Sequence, residues 1–235
     1  MHRFYAPDIA ETSVLPEAES AHAVRVLRLI EGDMVEVVDG KGNMYECRIS
    51  LAHSKKCEVE IVGQAAVPNH WGGAITVAVA PTKNLDRMEW MAEKATEMGI
   101  DRIIPLLCRH SERKELKTER LRKILVSAMK QSLKAVMPQL DEMTPIARML
   151  ADEALPQQRY IAYCDENTER RQFEACYRPS EDVVVLIGPE GDFSPEEVKM
   201  AIENGFVPVT FGNSRLRTET AALYAVAAAH ALKQR

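Results

Sequence analysis

The spacing of apolar residues divides this chain into two parts with different periods. Before residue 70, apolar and polar positions alternate, both over 57–62 and on the two sides of Asp39-Gly40 within 34–49. Alternation with a period of two indicates half-buried strands, and an Asp-Gly pair between two such runs is typical of a hairpin turn. We therefore predict a small β-rich domain over residues 1–70.

From residue 74 onward, this alternation gives way to short, uninterrupted apolar runs separated by helical patterns. The runs predict buried strands at 75–80, 103–106, 160–163, 183–187 and 207–212. The helical patterns lie at 85–98, 116–136 and 222–233. Strands that alternate with helices form a mostly parallel sheet covered by helices, so residues 74–235 are predicted to be an α/β domain. The stretch 67–73, with a proline and adjacent glycines, is the predicted boundary.

The strand at 183–187 runs into the loop Gly188-Pro189-Glu190-Gly191. The glycines permit a tight turn and let a ligand approach the backbone closely. Ser194, Pro195 and Glu197 then form the pattern of a capped helix start. A strand, a glycine-rich turn and a helix in this order predict a small-molecule site at the carboxyl end of the strand.

A second loop of the same kind follows the strand at 207–212 and leads into the last helix. Thr218 or Thr220 could cap that helix, and Glu219 would complement its positive end. Neither loop has the glycine pattern of a dinucleotide site or the lysine of a P-loop. Each loop alone is equally consistent with an ordinary strand-to-helix connection, whereas the two together favour a shared binding site.

Composition narrows the classes of protein to which the chain can belong. The 235 residues are 46% hydrophobic, enough for a core, and no apolar run is long enough to span a membrane. The first residues lack the apolar stretch of a secretory signal, so a cytoplasmic location is expected. Five scattered cysteines without a CxxC pair predict free thiols and no metal site.

The charge is unevenly distributed. The net charge of −5 argues against nucleic-acid binding on average, but residues 109–134 carry nine Lys or Arg and only three acids. This basic segment could be a solvated helix face or a surface that contacts phosphate. A helical pattern at 18–30 adds His22, Arg25 and Arg28, whose spacing places them on roughly one side of the helix. They too could be ordinary solvated charges or contacts to phosphate.

Several of these segments together resemble the RsmE family, small-subunit rRNA methyltransferases of the SPOUT superfamily. Near the N-terminus the similar segments are Arg3-Phe4-Tyr5, 22–28, Gly32 and Asp39-Gly40. Further along the chain they are 94–99, Gln131-Ser132, Pro138, 187–191 and 216–221. The chain departs from the family pattern at 130–134, where a lysine replaces the usual arginine, and at Ser214-Arg215, where the arginine stands one place later.

The resemblance implies both a fold and an activity. The fold is a small N-terminal PUA-like β-barrel that binds RNA, followed by a SPOUT domain whose mostly parallel sheet carries flanking helices and a deep trefoil knot. The activity is methylation of N3 of one uridine in the decoding region of 16S rRNA, with S-adenosyl-L-methionine (AdoMet) as cofactor. The enzyme would be a homodimer, and Ala222, Ala225 and Ala229 on the last helix share a face that would allow close packing.

The residues expected to carry these roles form three sets. AdoMet is expected to contact Thr82, Ile187, Gly188, Pro189, Glu190, Gly191, Phe211, Gly212, Leu216 and Thr218. RNA, either as free rRNA or within the small subunit, is expected to contact Arg3, Tyr5, His22, Arg25, Arg28, Arg109, Arg113 and Lys134. The catalytic candidates are Arg217 and Glu190.

The chemistry of uridine motivates the two catalytic candidates. Its N3 is a poor nucleophile until its proton leaves, and a cation near O2 or O4 would stabilise the charge that develops. Arg217 is the candidate for this cation, and Glu190 for orienting the cofactor or the uracil, with a general-base role less favoured. Structural alternatives remain, because Glu190 could cap a neighbouring helix and Arg217 could pair with Glu219.

Two other classes of function stay open. One is a related SPOUT enzyme that acts on another RNA or on a ribose 2′-hydroxyl, which the N-terminal motif disfavours. The other is a non-catalytic, RNA-binding ribosome-assembly factor that retains the fold, which the intact cofactor loops disfavour.

Overall fold

The computed structural model describes residues 1–164 and 169–233 and contains two compact units. The first unit consists of Met1–His70 together with Val126–Met137. The second consists of Trp71–Leu125 and the described chain from Pro138 onward. The chain therefore leaves its first unit after His70 and returns to it once, through the segment 126–137.

The first unit is built on a four-stranded sheet of order β1-β2-β3-β4. The strands are β1 (His2–Tyr5), β2 (Met34–Val38), β3 (Asn43–Leu51) and β4 (Glu58–Ala66). The predicted hairpin at Asp39-Gly40 is confirmed, because β2 and β3 are antiparallel on either side of it and Gly40 has a φ of +77°. Asp39 holds this turn by accepting hydrogen bonds from the backbone N–H groups of Lys41 (2.7 Å) and Asn43 (3.1 Å).

The short helical segments of the first unit differ from the prediction of one helix over 18–30. Helices α1 (Ile9–Thr12) and α2 (Glu17–Ala21) are short, and a π-helical turn occupies His22–Val26. The N–H of Leu27 bonds the carbonyl of His22, and Arg28 then has a left-handed φ of 57° that ends the helical segment. The predicted common face of His22, Arg25 and Arg28 is therefore wrong, because the wider turn changes the angular spacing and Arg28 lies beyond the helix.

The helix predicted over 116–136 is shorter than expected. Helix α4 covers Thr118–Gln131, and Leu133 follows with a φ of 59°. The residues after the helix join the first unit, where Val136 forms bridges to Gly40 and Lys41. The apolar pattern thus continues past the end of the helix because the residues that follow also pack, although as extended chain.

The second unit contains an eight-stranded sheet in which every pairing is parallel. Its order is β10-β12-β9-β11-β5-β6-β7, with β8 paired to β6. The longer strands are β5 (Ile75–Val79), β6 (Arg102–Leu107), β9 (Gln158–Ala162), β11 (Val183–Ile187) and β12 (Val207–Thr210). The short ones, which the sequence pattern did not predict, are β7 (Gln139–Leu140), β8 (Thr144–Pro145) and β10 (Arg171–Gln172). The predicted parallel α/β sheet is confirmed.

Helices flank this sheet, and their ends follow the predicted signals. Helix α3 (Leu85–Met98) ends at Gly99 with a φ of 111°, and α7 (Pro195–Glu203) begins with a complete capping box between Ser194 and Glu197. The remaining helices are α5 (Ile146–Leu150), α6 (Phe173–Cys176) and α8 (Thr218–Lys233). Among the described residues, no helix is both long and apolar enough to cross a membrane.

The small residues of α8 face inward. Ala222, Ala225 and Ala229 are at most 1% exposed, and α8 packs against α3 and β5. The expectation that these alanines form a contact between protomers is therefore wrong, because their own chain already covers them.

Candidate cofactor cleft and RNA-contacting residues

A cavity of the second unit opens at the carboxyl ends of β9, β11 and β12 and has a volume of about 1040 Å³. Both predicted loops line it, through residues 187–190 and 209–219. Arg87 from α3, the end of β9 and the segment around Arg170 complete the lining. Ligand sites of α/β sheets commonly lie at this edge, where loops from adjacent strands meet.

One hydrogen bond joins the two loops. Thr218, which is 6% exposed, donates its hydroxyl to the carbonyl of Gly188 at 3.0 Å. Thr218 therefore does not cap α8 with its side chain, as one alternative proposed. It fixes the start of α8 against the loop that follows β11.

Asp192 ties the first loop to the neighbouring strand. Its carboxylate accepts a hydrogen bond from the N–H of Cys164, just beyond β9, at 2.8 Å, and another from the N–H of Phe193 at 2.8 Å. Asp192 has a φ of 62°, and its own N–H closes a turn onto Pro189. Asp192 was not among the predicted site residues, although an Asp after a glycine and shortly before a helix cap is a common turn signal.

The glycines of the loops serve different purposes. A Cβ on Gly188 would lie 3.1 Å from the ring of Phe193, and one on Gly191 would lie 3.1 Å from Cβ of His110, so both glycines permit packing within the protein. Gly212 has open space around it but a φ of +104°. A side chain at Gly188 would therefore start in contact with the ring of Phe193.

Glu190 lies on the rim of the cleft, and its side chain is exposed. Its Oε1 accepts a hydrogen bond from the backbone N–H of Lys83 at 2.9 Å, so it anchors the segment that leads into α3. Thr82, the residue before Lys83, is 1% exposed and donates its hydroxyl to the carbonyl of Asn84 at 2.7 Å. Thr82 is thus engaged below the surface and does not line the cleft.

Arg217 and Glu219 do not form the pair proposed as an alternative. Arg217 is exposed at the cleft, and no described residue forms an ion pair with it. Glu219 is 6% exposed, and its Oε1 lies 3.8 Å from Nε of Arg87. Its other oxygen, Oε2, is buried without a hydrogen-bond partner in the described part of the chain.

The aromatic side chain of Phe211 forms part of one wall of the cleft and packs against two other rings. Phe211 lies 5.1 Å from the ring of Tyr224 and 5.6 Å from that of Phe173. Tyr224 is held in turn by the hydrogen bond from its hydroxyl to Glu174 at 2.6 Å, which raises the pKa of Tyr224. The wall is therefore braced by contacts outside the cleft and presents a fixed apolar edge to a ligand.

The structure brings most of the predicted set together. The cleft is lined by the predicted residues Ile187, Gly188, Pro189, Glu190, Phe211, Gly212, Leu216, Arg217 and Thr218, whereas Thr82 and Gly191 do not reach it. It is also lined by polar residues that sequence analysis did not place there: Arg87, Tyr163, Arg170, Asp192 and Glu219. Among residues 1–164 and 169–233, no group of three or more His, Cys, Asp or Glu side chains is arranged to hold a metal.

The predicted RNA-contacting residues of the first unit differ in their exposure and in the partners of their side chains. Arg3 donates through Nε and Nη2 to Glu36 at 2.9 and 2.8 Å, and its side chain is 11% exposed. His22, Arg25 and Arg28 are exposed, with Arg25 donating to the hydroxyl of Ser54 at 3.1 Å. Tyr5 lies under the Asp39-Gly40 turn and Lys134 is half-buried.

In the second unit, several basic side chains of the segment 109–134 are already bonded to acidic side chains or to a backbone carbonyl. Arg109 pairs with Glu196 at 3.1 Å, and Arg113 donates to the carbonyl of Lys83 at 2.8 Å. Arg120 pairs with Glu89 at 2.6 Å. The excess of positive charge counted along the sequence therefore overstates the charge that is free to meet phosphate.

Comparison with known proteins gives consistent matches. A family model described as an RNA methyltransferase domain matches residues 70–230, and one described as an RNA methyltransferase PUA domain matches residues 15–62. The chain is 27% identical over 229 residues to Ribosomal RNA small subunit methyltransferase E of Aquifex aeolicus, covering 94% of this chain and 95% of that protein.

Two solved structures are similar along almost the whole length. A probable rRNA-methyltransferase from Porphyromonas gingivalis matches with a TM-score of 0.94 and 46% identity, covering 100% of this chain and 99% of that one. A Ribosomal RNA small subunit methyltransferase E from Neisseria gonorrhoeae, bound to S-adenosyl methionine, matches with a TM-score of 0.86 and 28% identity, covering 99% and 98%.

Proposed function

Because this chain belongs to the RNA methyltransferase family, in its RsmE branch, we propose that it methylates N3 of one uridine in the decoding region of 16S rRNA with AdoMet as methyl donor. Residues 1–70 are the RNA-binding, PUA-like domain in this proposal, and residues 74–235 are the AdoMet-binding SPOUT domain with its trefoil knot. The near-complete coverage of the relatives supports assigning the whole reaction to this chain.

One observation carries the proposal: the two family-specific loops, which follow β11 and β12, line a single cleft at the carboxyl ends of the neighbouring parallel strands β11, β9 and β12. The chemistry of the lining fits AdoMet, whose adenine suits the aromatic wall at Phe211 and whose ribose suits exposed loop backbone. When bound, AdoMet supplies an electrophilic methyl group on a sulfonium.

The chain's own residues then position the uracil and manage its charge. Arg217 is exposed at the cleft and without an ion-pair partner among the described residues, so its guanidinium is available to donate to a uracil carbonyl oxygen. Charge grows on that oxygen as N3 becomes nucleophilic, and a fixed donor lowers the barrier. Glu190 acts by holding the loop that precedes α3, since its carboxylate is already engaged with the N–H of Lys83.

The RNA contacts are assigned to the exposed cations. His22, Arg25 and Arg28 are exposed and offer charge from the first unit. In the second unit Arg109 is exposed but paired with Glu196, and Arg113 is half-buried, so both are expected to contribute less. Contacts of this kind bind phosphate and set the register of the RNA without reading its sequence. Arg3 supports the sheet through Glu36 and contributes less, because its charge is already paired.

We further propose that the enzyme works as a homodimer in the cytoplasm, where its ribosomal substrate is found. The family resemblance supports the dimer. Because the alanine face of α8 is covered within the chain, the contact must use other residues.

The experiment that tests the function uses small ribosomal subunits from a strain that lacks the gene. The purified protein, AdoMet and these subunits should yield N3-methyluridine in digested 16S rRNA, located to one nucleotide by mass spectrometry. Methylation of a ribose hydroxyl or of another RNA would instead support a related SPOUT activity. The absence of any methyl transfer to purified subunits or free rRNA, despite AdoMet binding, would favour an assembly factor.

A further inference from the structure

We propose that Glu219 accepts the N3 proton of the target uridine. This assignment rests on the proposed function, because it concerns the same cleft and the same reaction. It identifies the base that the loop motifs alone do not reveal.

The Glu219 side chain has an unusual combination of burial and missing hydrogen bonds. It lines the cleft, yet the residue is only 6% exposed, and Oε2 has no hydrogen-bond partner among the described residues. Buried carboxylate oxygens are almost always hydrogen-bonded, so an orphaned one on a residue that lines a cleft indicates a donor supplied by a ligand.

The charge of the Glu219 side chain limits the kind of group that Oε2 can contact. Arg87 faces the other oxygen at 3.8 Å and forms an ion pair with the Glu219 carboxylate, which lies in the first turn of α8. An ionised carboxylate only accepts hydrogen bonds. The ligand must therefore present an N–H or O–H, and uracil presents one at N3, the atom to be methylated.

The step balances with these groups. The N3–H proton passes to Oε2 of Glu219, and the electron pair left on N3 forms the new bond to the methyl carbon. The bond between that carbon and sulfur breaks with its electrons going to sulfur, which gives N3-methyluridine and S-adenosylhomocysteine. Glu219 then releases the proton to water.

The chain offers a matched control. Glu197 is 7% exposed and also lies in the first turn of a helix, but both of its oxygens are engaged. Oε1 accepts from the N–H of Arg109 at 2.7 Å, and Oε2 accepts from the N–H of Ser194 at 2.8 Å. Glu197→Gln should therefore disturb the capping box without changing the chemistry of methyl transfer.

The test measures single-turnover methylation by Glu219→Gln on subunits reconstituted with uridine or with 5-fluorouridine. Loss of a general base typically costs about 10²–10⁴ in rate, so the variant should be slower by that factor on uridine. Fluorine makes the N3 proton more acidic, so the deficit of the variant relative to the native enzyme should shrink on 5-fluorouridine. Calorimetry with S-adenosylhomocysteine should give unchanged affinity, and Glu197→Gln should show no rate deficit on either substrate.

Three results would overturn the assignment. A deficit of equal size on both substrates would mean that Glu219 does not handle the proton. A loss of S-adenosylhomocysteine affinity with a normal rate at saturating AdoMet would assign Glu219 to the ammonium group of the cofactor. A lower melting temperature with a normal rate would make Glu219 only the structural partner of Arg87.

A second variant and the native enzyme keep these results interpretable. Should Glu219→Gln fail to fold, Glu219→Asp retains the charge opposite Arg87 but withdraws the oxygens by one methylene. It should show the same substrate-dependent deficit. Failure of the native enzyme to form N3-methyluridine on either substrate would instead refute the proposed function itself.

Discussion

Replacing Arg217 with alanine should separate the rate of methyl transfer from the stability of the fold. Arg217 is exposed, lines the cleft and pairs with no described residue, so its removal leaves no buried charge behind. Exposed positions of this kind usually change stability by less than about 0.5 kcal/mol. For a chain of this length, that corresponds to a shift in melting temperature of at most about 2 °C.

The effect on the rate should be much larger. Removing one preorganised donor to a developing oxyanion typically lowers the rate constant by about 10²–10³, or roughly 2.7–4 kcal/mol. We expect about 10², at the lower end, because the exposed guanidinium of Arg217 is free to reorient before the RNA covers it. Affinity for RNA and for AdoMet should stay close to that of the native protein.

The assay is single-turnover methylation of small subunits, measured beside thermal melting curves. Arg215→Ala is the matched control, because Arg215 also lines the cleft and is exposed two positions earlier. A normal rate constant in Arg217→Ala would refute the catalytic role. If Arg215→Ala were then the slow variant, the cation would be assigned to Arg215, which stands one place later than the arginine of many relatives.

Three further predictions test other parts of the proposed function and of the fold. Arg25→Glu combined with Arg28→Glu should weaken RNA binding and flatten its dependence on salt, because fewer counterions are released, while AdoMet affinity stays unchanged. Filter binding across a salt series checks this, with Arg48→Glu as an exposed control. Retained binding at every salt concentration would contradict the prediction. Gly188→Val should lower the melting temperature, because its Cβ would lie 3.1 Å from Phe193 and overpacking costs about 1–3 kcal/mol; an unchanged melting curve would show that the loop adapts. Sedimentation at micromolar concentration should give a species of twice the 26.4 kDa chain mass, and a fully active monomer would count against the proposed dimer.

The sequence predicted those features that depend on neighbours along the chain. The parallel strands, the Asp39-Gly40 hairpin and the start of α7 each follow from a local pattern, and the structure confirms them. The extent of α4 could not be predicted in this way. Its apolar pattern continues past Gln131 because the following residues also pack, although as extended chain rather than as helix.

The polar groups of the cleft were harder to predict, because their partners are distant in sequence. Arg87 faces Glu219 from another helix, and Asp192 holds Cys164 at the end of another strand. A local motif shows Glu219 only as a helix-start acid that could pair with nearby Arg217. The fold decides instead, because it buries Glu219 beside α3 and leaves Arg217 exposed.

The bond between Thr218 and Gly188 connects the cofactor loops to the proposed proton acceptor. Thr218 donates to the Gly188 carbonyl at 3.0 Å, and Glu219 is the next residue along the first turn of α8. Because Thr218 is buried, this bond restricts the start of the helix and therefore the direction in which the Glu219 side chain points. The loop that would hold AdoMet and the carboxylate that would receive the uridine proton are thus parts of one hydrogen-bonded unit. Methyl transfer needs the methyl group and the nitrogen in line, and a displacement of either loop would misalign them. A bond that holds the two loops together therefore favours the reaction.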